Sequence, residues 1–258
     1  MNKRQEREGT RVQNVHGEWM TAADYNNSRD MFAVFDNGER THTTWQNFMN
    51  GHVRNAFTPS VMGLGYLGKG NYPTIKNGQA DKVYALWLNM LTRTYNSKFH
   101  KFNPRYEDCE IDPVWLNYST FYEDVQRMCP HFYDEDVQYE LDKDLLHKGN
   151  RVYGPNTCCF LPGELNTILL QATSARGEYP VGVTLYTQSS INPYRATISR
   201  SGAGKPKLVK GFPTIEEAFV WYCAQKKVYL LERVEYWRKY LTKDAYMALL
   251  RWEPCIDD

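Results

Sequence analysis

The sequence predicts an α+β fold, with small β modules toward both ends and helices around one compact strand–loop–strand–helix unit between them. Three observations carry that expectation. Strand-like runs cluster in residues 9–56 and again in 180–212. Apolar residues recur at helical spacing in 80–95, 112–128 and 214–240. Residues 141–170, LDKDLLHKGNRVYGPNTCCFLPGELNTILL, read as a strand LDKDL, a loop with Gly149, Asn150, Gly154 and Pro155, a strand TCCFL, and a helix ELNTILL behind Pro162-Gly163.

Composition bounds the class. The chain has 258 residues, enough for one large domain or two to three small ones. Hydrophobic residues make up 42% and mean hydropathy is −0.64, values of a soluble globular protein. The longest apolar runs, such as TILLQA, fall far short of a membrane span. MNKRQEREGTR is charged with no apolar core behind it, unlike a secretory signal, so the expected location is the cytoplasm. Six cysteines, at 109, 129, 158, 159, 223 and 255, form no CxxC and no zinc-like Cys/His spacing, which reads as buried reduced thiols. The net charge of +1 hides an asymmetry. Residues 106–145 hold twelve Asp/Glu against two Lys/Arg, whereas residues 176–210 hold six Lys/Arg against one Glu. An acidic middle followed by a basic segment suits a metal-binding centre beside a DNA-holding module.

In chain order, residues 1–56 are expected to form a small SH3-like β module. GTRVQNV, WMTAADY and MFAVFDNGE supply its strands, and Asp36-Asn37-Gly38 marks a hairpin. No spacing of its histidines or aspartates suggests chemistry, so a passive role is favoured. Residues 57–79 are rich in Gly and Pro and read as a linker. GLGYLGKG within it invites a phosphate-loop reading, but it lacks the Gly-Lys-Ser/Thr ending and a leading strand. The helix of 80–95 buries Val83, Trp87, Met90 and Leu91. Arg93 and Lys98 near its end open the basic, aromatic segment NSKFHKFNPRY, which suits a phosphate backbone. Asp112-Pro113 signals a second helix start, with Trp115, Phe121, Val125 and Met128 as its core positions.

Along LDKDL the side chains alternate, so Asp142 and Asp144 are expected on one face and Lys143 on the other. With Asn156 and Asn166 they form a set of oxygen ligands that could hold one divalent ion in an open site, which suits phosphodiester cleavage. These residues resemble the HNH, or ββα-metal, nucleases. The resemblance implies that residues 80–175 are a nuclease domain holding one Mg²⁺ or Mn²⁺ ion. It assigns the metal to Asp142 and Asn166, the loop brace to Asn156, and a supporting place beside the ion to Asp144. Lys143 stands where the family has its histidine general base. Being protonated near neutral pH, a lysine is a poor base and a better phosphate clamp, and His147, four residues on, is the other candidate base.

The strands VGVTLY, YRATISR and KLVKGF precede a long helix whose start carries a capping box, Thr214 with Glu217. Thr242 caps a last short helix, KDAYMALLRW. Gly182-Val183, Tyr194-Arg195-Ala196, Gly211-Phe212 and Thr214-Ile215-Glu216-Glu217-Ala218 resemble the AP2-type DNA-binding domain. That resemblance implies that residues 176–258 lay three antiparallel strands against double-stranded DNA. Arg195, Arg200, Lys205, Lys207 and Lys210 are then the DNA-facing candidates, arginine reading guanine edges and lysine neutralising phosphate. Together the two resemblances imply a phage-encoded or mobile-element endonuclease. Two other readings compete: a DNA-binding or regulatory protein whose nuclease site has lapsed, and a protein that blocks a host factor with its acidic middle.

Overall fold

The computed structural model describes residues 3–169, 178–200 and 206–254. It is of the expected mixed α+β class. Its contacts divide the chain into two compact units, Met1–Glu107 with Pro113–Glu123, and Asp108–Asp112 with Asp124–Asp258. Among the described residues no helix is long and apolar enough to cross a membrane.

The first unit opens with a short helix, α1 (Lys3–Arg7), and an antiparallel meander of β1 (Arg11–Gln13), β2 (Trp19–Asn27), β3 (Asp30–Phe35) and β4 (Arg40–Thr43) in that order. β4 is one strand more than the sequence pattern suggested. The sheet runs in simple order and, among the described residues, does not close into a barrel. Strict alternation along β3 sends Met31, Ala33 and Phe35 into a core with Met20, Ala22 and Tyr25. Helix α2 (Trp45–Met49) closes that core with Phe48. The Asp36-Asn37-Gly38 hairpin forms as expected: Gly38 takes φ +84, and the Phe35 N–H donates to the Glu39 carbonyl at 2.8 Å.

Residues 57–79, expected as a flexible link, are a strap tied to its own unit. The Tyr66 N–H donates to the Leu116 carbonyl at 2.9 Å, and the Ser119 hydroxyl donates to the Leu67 carbonyl at 2.6 Å. Tyr72 stacks on Tyr122 with centroids 4.3 Å apart. The strap includes β5 (Ile75–Lys76), which pairs with β6 (Gln79–Ala80). The glycines permit this close course rather than slack. Helix α3 (Lys82–Tyr95), capped by Asp81, buries Val83, Trp87, Met90 and Leu91 as predicted. The Trp87 indole N–H donates to the Trp115 carbonyl at 2.7 Å. Asn96 caps the six-residue helix α4 (Ser97–Phe102).

In the second unit, β7 (Glu110–Ile111) pairs in parallel with the later β9. Helix α5 (Tyr118–Met128), whose residues up to Glu123 belong to the first unit, begins five residues after Pro113, because Pro113–Leu116 takes a 3-10 turn. Then come β8 (Tyr139–Asp142), β9 (Val152–Tyr153), β10 (Cys159–Pro162) and α6 (Gly163–Leu169), the strand–loop–strand–helix unit the sequence announced. β11 (Val183–Leu185), β12 (Tyr194–Ile198) and β13 (Leu208–Phe212) form a three-stranded antiparallel sheet in that order. It is followed by α7 (Ile215–Trp237) and α8 (Lys243–Arg251), started by Thr214 and Thr242 respectively.

Helix α7 joins these parts. Its first half packs Ala218 and Tyr222 against Val183, Ala196 and Ile198 of the sheet. Its second half packs Leu230 and Val234 against Cys159, Leu161, Leu165 and Leu249. Gly182 lies where the sheet meets α7: with φ +79, a Cβ there would fall 2.1 Å from the Tyr222 ring. Because Leu230 is fully buried, Leu230→Ala is expected to cost about 2–5 kcal/mol. Urea unfolding read by circular dichroism measures this, and a midpoint shift worth under about 1 kcal/mol would show that the α7 seam is not what holds the unit together.

Candidate functional site

β8 and β10 pair antiparallel, with Asp142 opposite Cys159, Leu141 opposite Phe160 and Glu140 opposite Leu161. Direct cross-strand partners share a face. Asp142 and Glu140 therefore lie on the side of Cys159 and Leu161, the side that α6 covers through Leu165. The strand stops at Asp142 because the Asp142 side chain turns the chain. Its Oδ1 accepts the backbone N–H groups of Asp144 at 2.9 Å and Leu145 at 2.7 Å. Burial raises the Asp142 carboxyl pKa, and those two N–H groups pull in the opposite direction. Burial, with the Asp142 charge adding to it, also pushes the Cys159 thiol up. Cys158 is pushed up to about 12, with burial the main cause. Both thiols stay protonated and inert at neutral pH.

Because the strand ends at Asp142, the expected alternation does not reach Asp144. Asp144 turns to Lys143 instead: the buried Lys143 Nζ donates to Asp144 Oδ1 and Oδ2 at 2.8 and 2.9 Å and to the Asn150 carbonyl at 3.0 Å. An ammonium has three N–H bonds, and these contacts use them. Lys143 thus anchors the loop, and it and Asp144 meet instead of lying on opposite faces as the alternation predicts. His147 is exposed on the same loop, and its carbonyl accepts the Asn150 N–H at 3.0 Å.

The loop brace is Asn150, which the sequence reading did not single out for that role. Its amide donates to the Lys143 carbonyl at 2.9 Å and the Val152 carbonyl at 2.8 Å, and its Oδ1 accepts the Val152 N–H at 3.2 Å. Asn156, expected in this role, is exposed, and the turn beside it is held by the Thr157 hydroxyl donating to the Val152 carbonyl at 2.7 Å. The available signal was the Gly149-Asn150 pair, because an asparagine next to a glycine bend often bonds its own backbone.

On α6, Asn166 donates its amide to Glu140. That places Asn166, expected as the second ligand of an ion held by Asp142, at Glu140, which lies two residues before Asp142 on the same side of β8. Glu164, two residues earlier, is gripped by α7: it accepts from Arg233 and the Trp237 indole at 2.7 Å each and from the Tyr229 hydroxyl at 3.3 Å. A cavity of about 330 Å³ opens here, lined by Asp136, Glu140, Glu164, Thr167 and Trp237 among others.

Among the described residues no three His, Cys, Asp or Glu side chains converge as a metal cluster. The donors that remain are hard oxygens: Asp142 Oδ2, Asn166 Oδ1 and the Glu140 carboxylate. Oxygens of this kind are the ones Mg²⁺ or Mn²⁺ takes while keeping several waters, but among the described contacts Glu140 and Asn166 bond each other and neither reaches Asp142.

On the three-stranded sheet, Arg195 lies on the outward face, opposite Thr184 and Gly211, with its guanidinium 3.5 Å from the Tyr186 ring centroid. Lys207 is exposed just before β13. Lys210 is opposite the buried Ala196, so it leaves β13 on the α7 side, where it lies over Phe212. Arg200 donates to the Pro206 carbonyl at 3.3 Å. Lys205 lies outside the described residues. Arg93 and the exposed Lys98 belong to the other unit.

The exchange of braces is testable. Asn150→Ala removes three hydrogen bonds and is expected to cost about 2–4 kcal/mol, whereas Asn156→Ala is expected to stay within about 0.5 kcal/mol. Denaturant titration of both variants decides it, and the reverse order would restore Asn156 as the brace. No family model, curated protein or solved structure matches the chain, so what it does rests on the geometry of these sites.

Proposed function

We propose that this chain is a DNA endonuclease of HNH type, cleaving phosphodiesters of double-stranded DNA with one Mg²⁺ or Mn²⁺ ion. One arrangement supports the reading above all. A carboxylate, Asp142, ends the first strand of a β-hairpin on the side covered by the following helix, and that helix carries a second oxygen donor, Asn166. Asp142 would hold the ion through Oδ2, because Oδ1 is committed to the turn, with Asn166 and Glu140 completing the protein's share. The ion's chemistry there is to polarise the scissile phosphate and support the leaving oxygen. His147 is the imidazole on the loop that can take a proton from attacking water, since Lys143 is bound to Asp144. Arg195 and Lys207 meet the duplex from the outward side of the sheet, the arginine at a guanine edge and the lysine at phosphate.

One observation favours a second reading, a DNA-binding or regulatory protein that does not cut. The place of the general base in the HNH pattern is taken by a lysine whose N–H bonds are all spent inside the loop.

Supercoiled plasmid incubated with Mg²⁺, Mn²⁺ or EDTA separates the two. The nuclease predicts relaxed or linear product that requires metal, vanishes in Asp142→Ala, falls at least about tenfold in His147→Ala and survives Lys143→Met wherever that variant folds. Metal-independent product, or product undiminished in Asp142→Ala, would sink the site assignment. Duplex binding without any cleavage would select the second reading. In either case Arg195→Ala is expected to weaken duplex binding about tenfold. Lys207→Ala is expected to lower the salt slope by about one ion. Anisotropy titrations at several salt concentrations read both.

A further inference from the structure

The first unit carries a surface that neither the ββα site nor the three-stranded sheet uses. Residues 82–106 hold five Lys/Arg and no Asp/Glu. Within them α4 presents Lys98, Lys101 and Phe102, residues spaced three and four apart and hence on one side of the helix. All three are exposed, Phe102 by 86%, the highest value among the large hydrophobic residues described. The fold does not need that ring outside. The neighbouring Phe99 is the aromatic that packs inward, 5.7 Å from the Tyr106 ring.

The patch is held firmly. Asn96 Oδ1 accepts the Lys98 and Phe99 N–H groups at 2.9 and 3.1 Å, fixing the start of α4. The His100 ring bonds the Arg93 carbonyl at 2.8 Å, fixing α4 to α3. Tyr106 carries the guanidinium of Arg105 at 5.0 Å and that of Arg93 at 5.8 Å from its centroid. Lys98 and Lys101 are therefore displayed on the same side of α4 as one bare aromatic ring, with Arg105 following the helix at Tyr106.

We propose that Lys98, Lys101, Phe102 and Arg105 bind single-stranded DNA, with phosphates on the cations and one unpaired base stacked on Phe102. This rests on the reading of DNA as the partner and adds the strand form that this unit takes. The charge is complementary to a phosphate backbone, and a flat, apolar ring among cations is what an unstacked base needs. A continuous duplex keeps its base faces stacked and offers Phe102 nothing comparable. A six-residue helix with one outward aromatic has too little apolar area to hold a bilayer.

The test is fluorescence anisotropy of the full chain with a labelled oligothymidine and with a duplex of equal length. The variants are Phe102→Ala, the double change Lys98→Glu with Lys101→Glu, and Arg195→Ala. Thermal melts confirm that each is folded, and anionic vesicles serve as a competing ligand. Phe102→Ala is expected to weaken the single strand about tenfold and leave the duplex unchanged. The double lysine change is expected to abolish single-strand binding, and Arg195→Ala to spare it. Unchanged single-strand affinity in Phe102→Ala overturns the proposal whatever the lysines do, and so does binding to vesicles with none to the oligonucleotide. Failure of the nuclease reading shows elsewhere, as absent plasmid cleavage or duplex binding indifferent to Arg195.

Discussion

The second unit depends on one constraint: the 23-residue α7 must bury two apolar patches, one at each end, with the buried Lys226 between them. No one layer of a small domain is long enough to cover both. The helix is therefore shared, with Ala218 and Tyr222 under the three-stranded sheet and Leu230 and Val234 under the ββα hairpin. Two modules that look separable in the sequence become neighbours on one rod.

Polar contacts then fix what burial leaves loose. Glu164, in the first turn of α6, takes donors from Tyr229, Arg233 and Trp237, so the helix that carries Asn166 is set by α7. Arg233 and Glu164 are both largely buried, with side chains 14% and 17% exposed. Losing one partner would strand the other's charge in a poorly solvated place. At the other end of the hairpin, Asp142 ends β8 by accepting two N–H groups, and Asn150 ties the outgoing loop to Lys143 and Val152. The position of the candidate site thus follows from the helix seam and from two side-chain-to-backbone turns.

Much of this was legible along the chain, for local reasons. The hairpin at Asp36-Asn37-Gly38, the caps at Thr214 and Thr242, the helical stripe of Val83, Trp87, Met90 and Leu91, and the strands around β12 each depend on neighbours within a few residues. What misled was the assumption that regular alternation continues through Asp144. A carboxylate that captures its own following N–H groups ends a strand whatever the pattern beyond it, and that choice decided the roles of Lys143 and Asp144. Gly and Pro in residues 57–79 signalled irregular backbone correctly. They could not signal that Leu116, Tyr118 and Ser119 would hold it, because those partners lie about fifty residues away.

Sequence alone therefore determined the main helices and strands and their order, the ββα motif and the basic character of the strands and of residues 82–106, but not the short β4, β5 or α4. Periodicity, capping and turn chemistry act over a few residues, and they leave their mark in the chain itself. Tertiary structure alone decided which asparagine braces the loop, that Asn166 meets Glu140, that Lys143 is spent on Asp144, and that Phe102 faces outward while Phe99 packs. Each of these turns on which of several chemically similar groups reaches a partner within hydrogen-bond or van der Waals distance. Identical residue types a few positions apart can answer that differently.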